Sequence, residues 1–149
     1  MVIEQFSRRL TELLPQLVRG FARHDHNHLT QGRITLPQLW AMEYLSRQGH
    51  APMNEIARFL AISRPATTGL IERLIGQGLA RRESDRRDRR IVRVTITAKG
   101  RRIVNNIWEQ KRRTLTKVFR QISPGDRAQY LATLKQVVNI LGQAPKETP

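Results

Sequence analysis

The chain of 149 residues has no cysteine, which excludes disulfides, cysteine-ligated zinc and thiol-based redox sensing. No apolar run approaches the roughly 18 residues of a membrane span. The first stretch, MVIEQFSRRLTELL, mixes Glu and Arg into a helical pattern instead of presenting the apolar block of a signal peptide. A soluble, cytoplasmic chain with no membrane partner is therefore expected. The catalytic signatures are missing too: there is no paired-carboxylate spacing, no Gly-rich phosphate loop following a strand and no serine elbow. Neither an enzyme nor a catalytic residue nor a cofactor is expected. Aromatic residues make up only 5%, which gives little by which to choose a ligand. Acidic side chains are scarce, at 12 against 27 Lys and Arg, and that imbalance favours polyanionic partners, nucleic acid before membrane.

The positive charge is local. Residues 58–120 hold 18 Lys and Arg against five Asp and Glu, so nearly all of the net charge sits in less than half of the chain. With 39% hydrophobic residues the sequence can bury a core, and general disorder does not explain the charge. One domain over 1–149 is the default for this length.

Apolar residues at Ile3, Phe6, Leu10, Leu13, Leu14, Leu17, Val18 and Phe21 recur in steps of three and four and predict an amphipathic helix to about Asp25, with Pro15 either kinking it or marking a late start. Thr35 and Gln38 have capping-box spacing around Pro37, predicting a helix over 36–48 that stops at Gly49. MNEIARFL gives a helix of barely two turns. After Ala61 and Ile62, Ser63 is a good N-cap for another helix, through Leu70, Ile71 and Leu74 to Gln77, closed by Gly78. Two short helices joined by so tight a turn form a helix-turn-helix.

From Leu79 the period changes to two: LARRE and IVRVTIT predict a hairpin with one apolar face, joined by the polar, arginine-dense tip SDRRDRR. Thr97 caps a helix of about 24 residues, with Ile103, Ile107, Trp108, Leu115, Val118, Phe119 and Ile122 on its apolar face. Ser123, Pro124 and Asp126 restart a last helix carrying Tyr130, Leu131, Leu134, Val137, Val138 and Leu141, and the tail GQAPKETP is expected to fray. The fold class is mainly α with a small β-hairpin wing: a winged helix-turn-helix over 34–97, flanked by helical segments over 1–28 and 98–141. Long helices with apolar stripes and little sheet to cover bury those stripes against each other or a second chain, so a homodimer held by the two chain ends is expected.

The stretches ITLPQLWAMEYL, MNEIARFLAISRPATTGLIERLIGQGLARR and DRRIVRVTITAKG resemble the multiple-antibiotic-resistance regulator (MarR) family of bacterial and archaeal transcription factors. The resemblance covers residues 34–100 in detail and the flanking helices in layout. It implies a two-fold dimer on a pseudo-palindromic operator in double-stranded DNA, acting as a repressor released by a small aromatic or other small-molecule effector. It also implies an effector pocket where the dimer helices meet the winged helix, near which Phe21, His28, Trp40 and Trp108 are nominated, although core packing is the better account of each.

The N-terminal turns of the second helix of a helix-turn-helix enter the major groove. Ser63, Arg64, Pro65 and Thr68 fall on the outward side here, with Thr67 divided between DNA and core. Gly69 offers no side-chain donor where members of the family often place a longer polar residue. Arg73 follows Glu72 as in the family pattern, with an internal salt bridge and a phosphate contact both open to it. In the wing, Arg86, Arg87 and Arg89 suit phosphates. By the family pattern Arg90 enters the minor groove, with Asp88 holding an arginine in place. A nonspecific architectural or RNA-binding protein would use the same basic surface without a reading helix. His24, Asp25, His26 and His28 raise a metal reading, but Asn27 and Gly32 indicate a polar helix end, and no metal is expected. The basic run Lys111, Arg112 and Arg113 reads first as a solvated helix face, with a further DNA contact or a charged patch at the dimer rim as the alternatives.

Overall fold

A computed structural model describes residues 1–25, 29 and 31–143. The order of elements is α1 (Ile3–His24), α2 (Leu36–Gln48), β1 (His50–Pro52), α3 (Met53–Leu60), α4 (Arg64–Gly76), β2 (Ala80–Ser84), β3 (Val92–Ile96), α5 (Ala98–Phe119) and α6 (Pro124–Gln143). The chain divides into two compact units, Met1–Lys111 and Arg112–Pro149, and the boundary falls inside α5.

Local chemistry sets the helix ends. At α2, Thr35 Oγ1 accepts from the Gln38 amide at 3.3 Å while Gln38 Oε1 accepts from the Thr35 amide at 2.9 Å, so the capping box forms as the spacing predicts. Ser63 Oγ accepts from the Ala66 amide to open α4, Thr97 Oγ1 from the Gly100 amide to open α5, and Ser123 Oγ from the Asp126 amide to open α6. Pro15 interrupts nothing: α1 runs through it.

The first unit is a winged helix. Its core gathers Leu39, Met42 and Leu45 from α2, Ile56 from α3, Leu70, Ile71 and Leu74 from α4, Val94 and Ile96 from β3, and Val104 and Ile107 from α5. Burying each large aliphatic side chain contributes about 1.5–3 kcal/mol, enough in sum to hold three short helices that would not persist alone. The expected hairpin is one part of a three-stranded antiparallel sheet, in the order β1-β3-β2. The added strand, His-Ala-Pro, pairs His50 with Thr95, Ala51 with Val94 and Pro52 with Arg93. The apolar face of β3 also departs from strict alternation, because Val94, Thr95 and Ile96 are all buried while Val92 is exposed. With strands on both sides and helices packed against the sheet, the inner end of β3 is covered on both faces.

Two backbone positions tie the wing to the helices. Gly78 takes a positive φ of 71°, and Thr97 Oγ1 donates to its carbonyl at 2.7 Å. At Gly100, a Cβ would lie 2.3 Å from the Leu79 carbonyl oxygen, so only glycine lets α5 start this close to β2.

Of the flanking helices, α5 contributes Val104 and Ile107 to the core, while α1 and α6 have no buried residue among those described. On α1, Ile3, Phe6, Leu10, Leu13, Leu14, Leu17 and Val18 are exposed. In the second unit, Tyr130, Leu131, Leu134, Val137, Val138, Ile140 and Leu141 of α6 are exposed as well, while Phe119 and Tyr130 meet with ring centroids 5.4 Å apart. The last helix includes Gly142 and Gln143, two residues assigned to the tail from the sequence, and the rest of the tail lies outside the described residues.

Candidate nucleic-acid interface

The reading helix α4 turns one face inward and one outward. Thr67, Leu70, Ile71 and Leu74 are buried; Ser63, Arg64, Pro65, Ala66 and Thr68 are exposed. Thr67, taken from the sequence as a possible DNA contact, is 0% exposed. Its hydroxyl donates to the Ser63 carbonyl at 2.9 Å, so it packs the core and tightens the first turn, and no DNA contact is left to it. Glu72 pairs with Arg82 on β2 and not with its neighbour Arg73, whose side chain is exposed. At Gly69, the Arg73 guanidinium lies 3.7 Å from where a Cβ would be, so this arginine covers the surface that glycine leaves open.

Two aspartates three residues apart build the wing. Asp85 Oδ1 accepts from the Arg87 amide at 2.8 Å and the Asp88 amide at 3.2 Å, while its Oδ2 accepts from Arg93 Nε at 2.6 Å. Asp88 Oδ1 accepts from both the amide and Nε of Arg90, at 3.0 and 3.2 Å. Backbone bonds from Asp85 N to Ile91 O and from Ile91 N to Asp88 O close the loop. The backbone amide of Arg87 first, then the Arg93 side chain and the Asp88 amide, hold the Asp85 carboxyl down to about 2, from an ordinary 3.8, against the opposing effect of burial. Arg86, Arg87, Arg89 and Arg90 are left exposed around this frame. The sequence pointed to Asp88 and Arg90; it did not single out Asp85 or Arg93. The Asx-turn spacing of Asp85 to Arg87 was the available signal.

Of the residues nominated for an effector pocket, Phe21, Trp40 and Trp108 lie among the described residues. Trp108 lines a cavity of about 380 Å³ with Glu43, Ser46, Arg47, Val104 and Asn105, and neither Phe21 nor Trp40 lines it. Trp40 is exposed, and Phe21 has the Lys111 ammonium 5.3 Å from its ring centroid. His28 lies outside the described residues, as does His26. Lys111 is no solvated cation: it pairs with Asp25, which is 3% exposed. His24 Nδ1 lies 2.8 Å from the Gly20 carbonyl.

A helix-turn-helix whose second helix shows a polar N-terminal face, beside an arginine-tipped wing on a three-stranded sheet, defines a winged-helix DNA-binding protein. Residues 34–91 match the family model described as MarR family. The matched residues are the winged helix-turn-helix, and the chain is a DNA-binding transcriptional regulator similar to that family. It is 27% identical over 135 residues to the uncharacterized HTH-type transcriptional regulator YsmB of Bacillus subtilis, covering 91% of this chain and 88% of that one. It is 27% identical over 114 residues to the uncharacterized HTH-type transcriptional regulator YfiV of the same organism, covering 76% and 71%. A solved MarR-like transcriptional regulator from Thermotoga maritima superposes with a TM-score of 0.76 at 27% identity, over 91% of this chain and 96% of that one. No helix among the described residues is long and apolar enough to cross a membrane, and the family is one of regulators rather than enzymes.

Proposed function

We propose that the protein works in the cytoplasm as a homodimeric, ligand-responsive repressor on a pseudo-palindromic operator. The N-terminal turns of α4 lie in the major groove and the wing in the adjacent minor groove. The observation that carries this reading is the pairing of two exposed polar elements on one rigid unit: Ser63, Arg64, Pro65 and Thr68 at the start of α4, and Arg86 to Arg90 on a loop ordered by Asp85 and Asp88. Arg64 suits guanine or phosphate, and Thr68 suits a thymine methyl or a phosphate oxygen. Asp88 fixes the Arg90 guanidinium next to its own backbone, leaving the outer nitrogens free for the minor groove. Arg73, Arg86, Arg87 and Arg89 supply phosphate contacts. The exposed apolar stripes of α1 and α6 support a dimer, since a monomer rarely leaves so much apolar surface in water, and two copies place two reading helices about one helical turn apart. The cavity at Trp108, lined also by the charged Glu43 and Arg47, is the place we assign to an effector.

Replacing Arg90 with Ala is expected to weaken operator binding by about 1–3 kcal/mol, read by fluorescence anisotropy on a selected duplex. An unchanged dissociation constant would remove the wing from the mechanism.

A further inference from the structure

We propose that His50 is a positioning residue for the wing, acting through Arg93 on the loop that carries Arg90. The proposal rests on the reading of the wing as a DNA contact. His50 belongs to β1 and pairs with Thr95, which places it diagonally across from Arg93 on the same face of the sheet, within reach of a long side chain. Arg93 reaches both ways. Its Nη1 lies 3.2 Å from His50 Nδ1, and its Nε donates to Asp85 Oδ2 at 2.6 Å. Asp85 in turn accepts from the amides of Arg87 and Asp88, and Asp88 accepts from Arg90. A continuous chain of polar contacts thus runs from the edge strand to the wing tip.

The chemistry assigns each role. A guanidinium only donates, so His50 Nδ1 is the acceptor, and the ring carries its single proton on Nε2. A protonated ring could not accept, and would face Arg93 as a like charge. Arg93 needs both ends of a planar fork to hold Asp85 and His50 together, which a lysine ammonium cannot supply. The contacts line a cavity of about 350 Å³ whose charged groups are Glu83 from β2, Asp85, Arg86 and Arg87 from the loop, and Arg93 from β3. Glu83 pairs with Arg81 and Asp85 with Arg93, so neither acid stands ready to hold a protonated His50. Arg93 without His50 keeps only its Asp85 bond, and the loop can pivot about that bond.

The test uses the full chain, a selected operator duplex and hydroxyl-radical footprinting of the minor groove. His50→Ala and Arg93→Lys are each expected to weaken binding about three- to tenfold, the range of one lost hydrogen bond. They should blur the minor-groove protection while leaving major-groove methylation protection and the melting temperature near those of the wild type. His50→Asn, whose Oδ1 falls close to the position of Nδ1, is expected to restore wild-type binding. Wild-type binding by His50→Ala, with Arg90→Ala still impaired, would overturn the proposal. If Arg90→Ala binds as wild type too, the wing reading itself fails and the positioning role falls with it.

Discussion

Gly100 and Thr67 show how single positions set the interface geometry. Gly100 has no room for a Cβ against the Leu79 carbonyl, and that contact brings the start of α5 down onto the turn before β2. Replacing it with Ala is expected to destabilise the protein by about 1–3 kcal/mol or more, because backbone and not a flexible side chain must move. A thermal melt checks this, and an unchanged midpoint would show that the close approach is not needed. Thr67 was ambiguous in the sequence because its polar type spoke for the outer face while its spacing of three, four and seven residues from Leu70, Ile71 and Leu74 put it on theirs. A bond to the Ser63 carbonyl resolved it, and no spacing rule reports that a hydroxyl will turn back on its own helix. Lys111 was misread for a related reason. In a run of three cations nothing marks the one that meets a buried Asp25 from another helix.

At the scale of elements, α2, α4, α5 and α6 were legible because each begins with a capping residue whose chemistry is local: Thr35, Ser63, Thr97 and Ser123 all accept from the amide three residues on; α1 and α3 have no side-chain cap and were legible from their apolar spacing. Strand β1 was not legible. Three residues, one of them Pro52, carry no period and no β-branched side chain, and they become a strand only because β3 has an open edge for them. The wing's aspartates lie between these cases: their type and spacing were visible, their partners were not. Asp85 gives a pH dependence with a definite sign. Its carboxyl is held down to about 2 from an ordinary 3.8, so it favours the ordered wing fully above the ordinary value, and this contribution fades as pH falls from there through the lowered value. Amide exchange at Arg87 and Asp88, taken relative to the intrinsic rate at each pH, should therefore quicken selectively on titration below the ordinary carboxylate range. Asp85→Asn should quicken it already at neutral pH; equal protection in that variant would contradict the role given to the carboxylate.

For the molecule as a whole, charge and apolar surface divide the work. The cations lie mostly in the winged helix and α5, and the unburied apolar side chains mostly on α1 and α6. The stripes were readable from their three-and-four spacing alone; what covers them was not, because a partner chain leaves no mark in one sequence beyond the surface it needs. Replacing Leu134 and Val137 with Glu is expected to yield monomers by light scattering and to weaken operator binding severely, while leaving the winged-helix core folded. A dimer that survives both changes would place the interface elsewhere. The central claim, that one helix and one wing per subunit read a specific duplex, is tested most directly by selecting bound sequences from random double-stranded DNA at physiological salt. The account predicts a single recurrent inverted repeat, with half-sites centred about 10 base pairs apart and A·T-rich steps at the wing positions. A pool with no shared motif, retained only through salt-sensitive phosphate contacts, would contradict it.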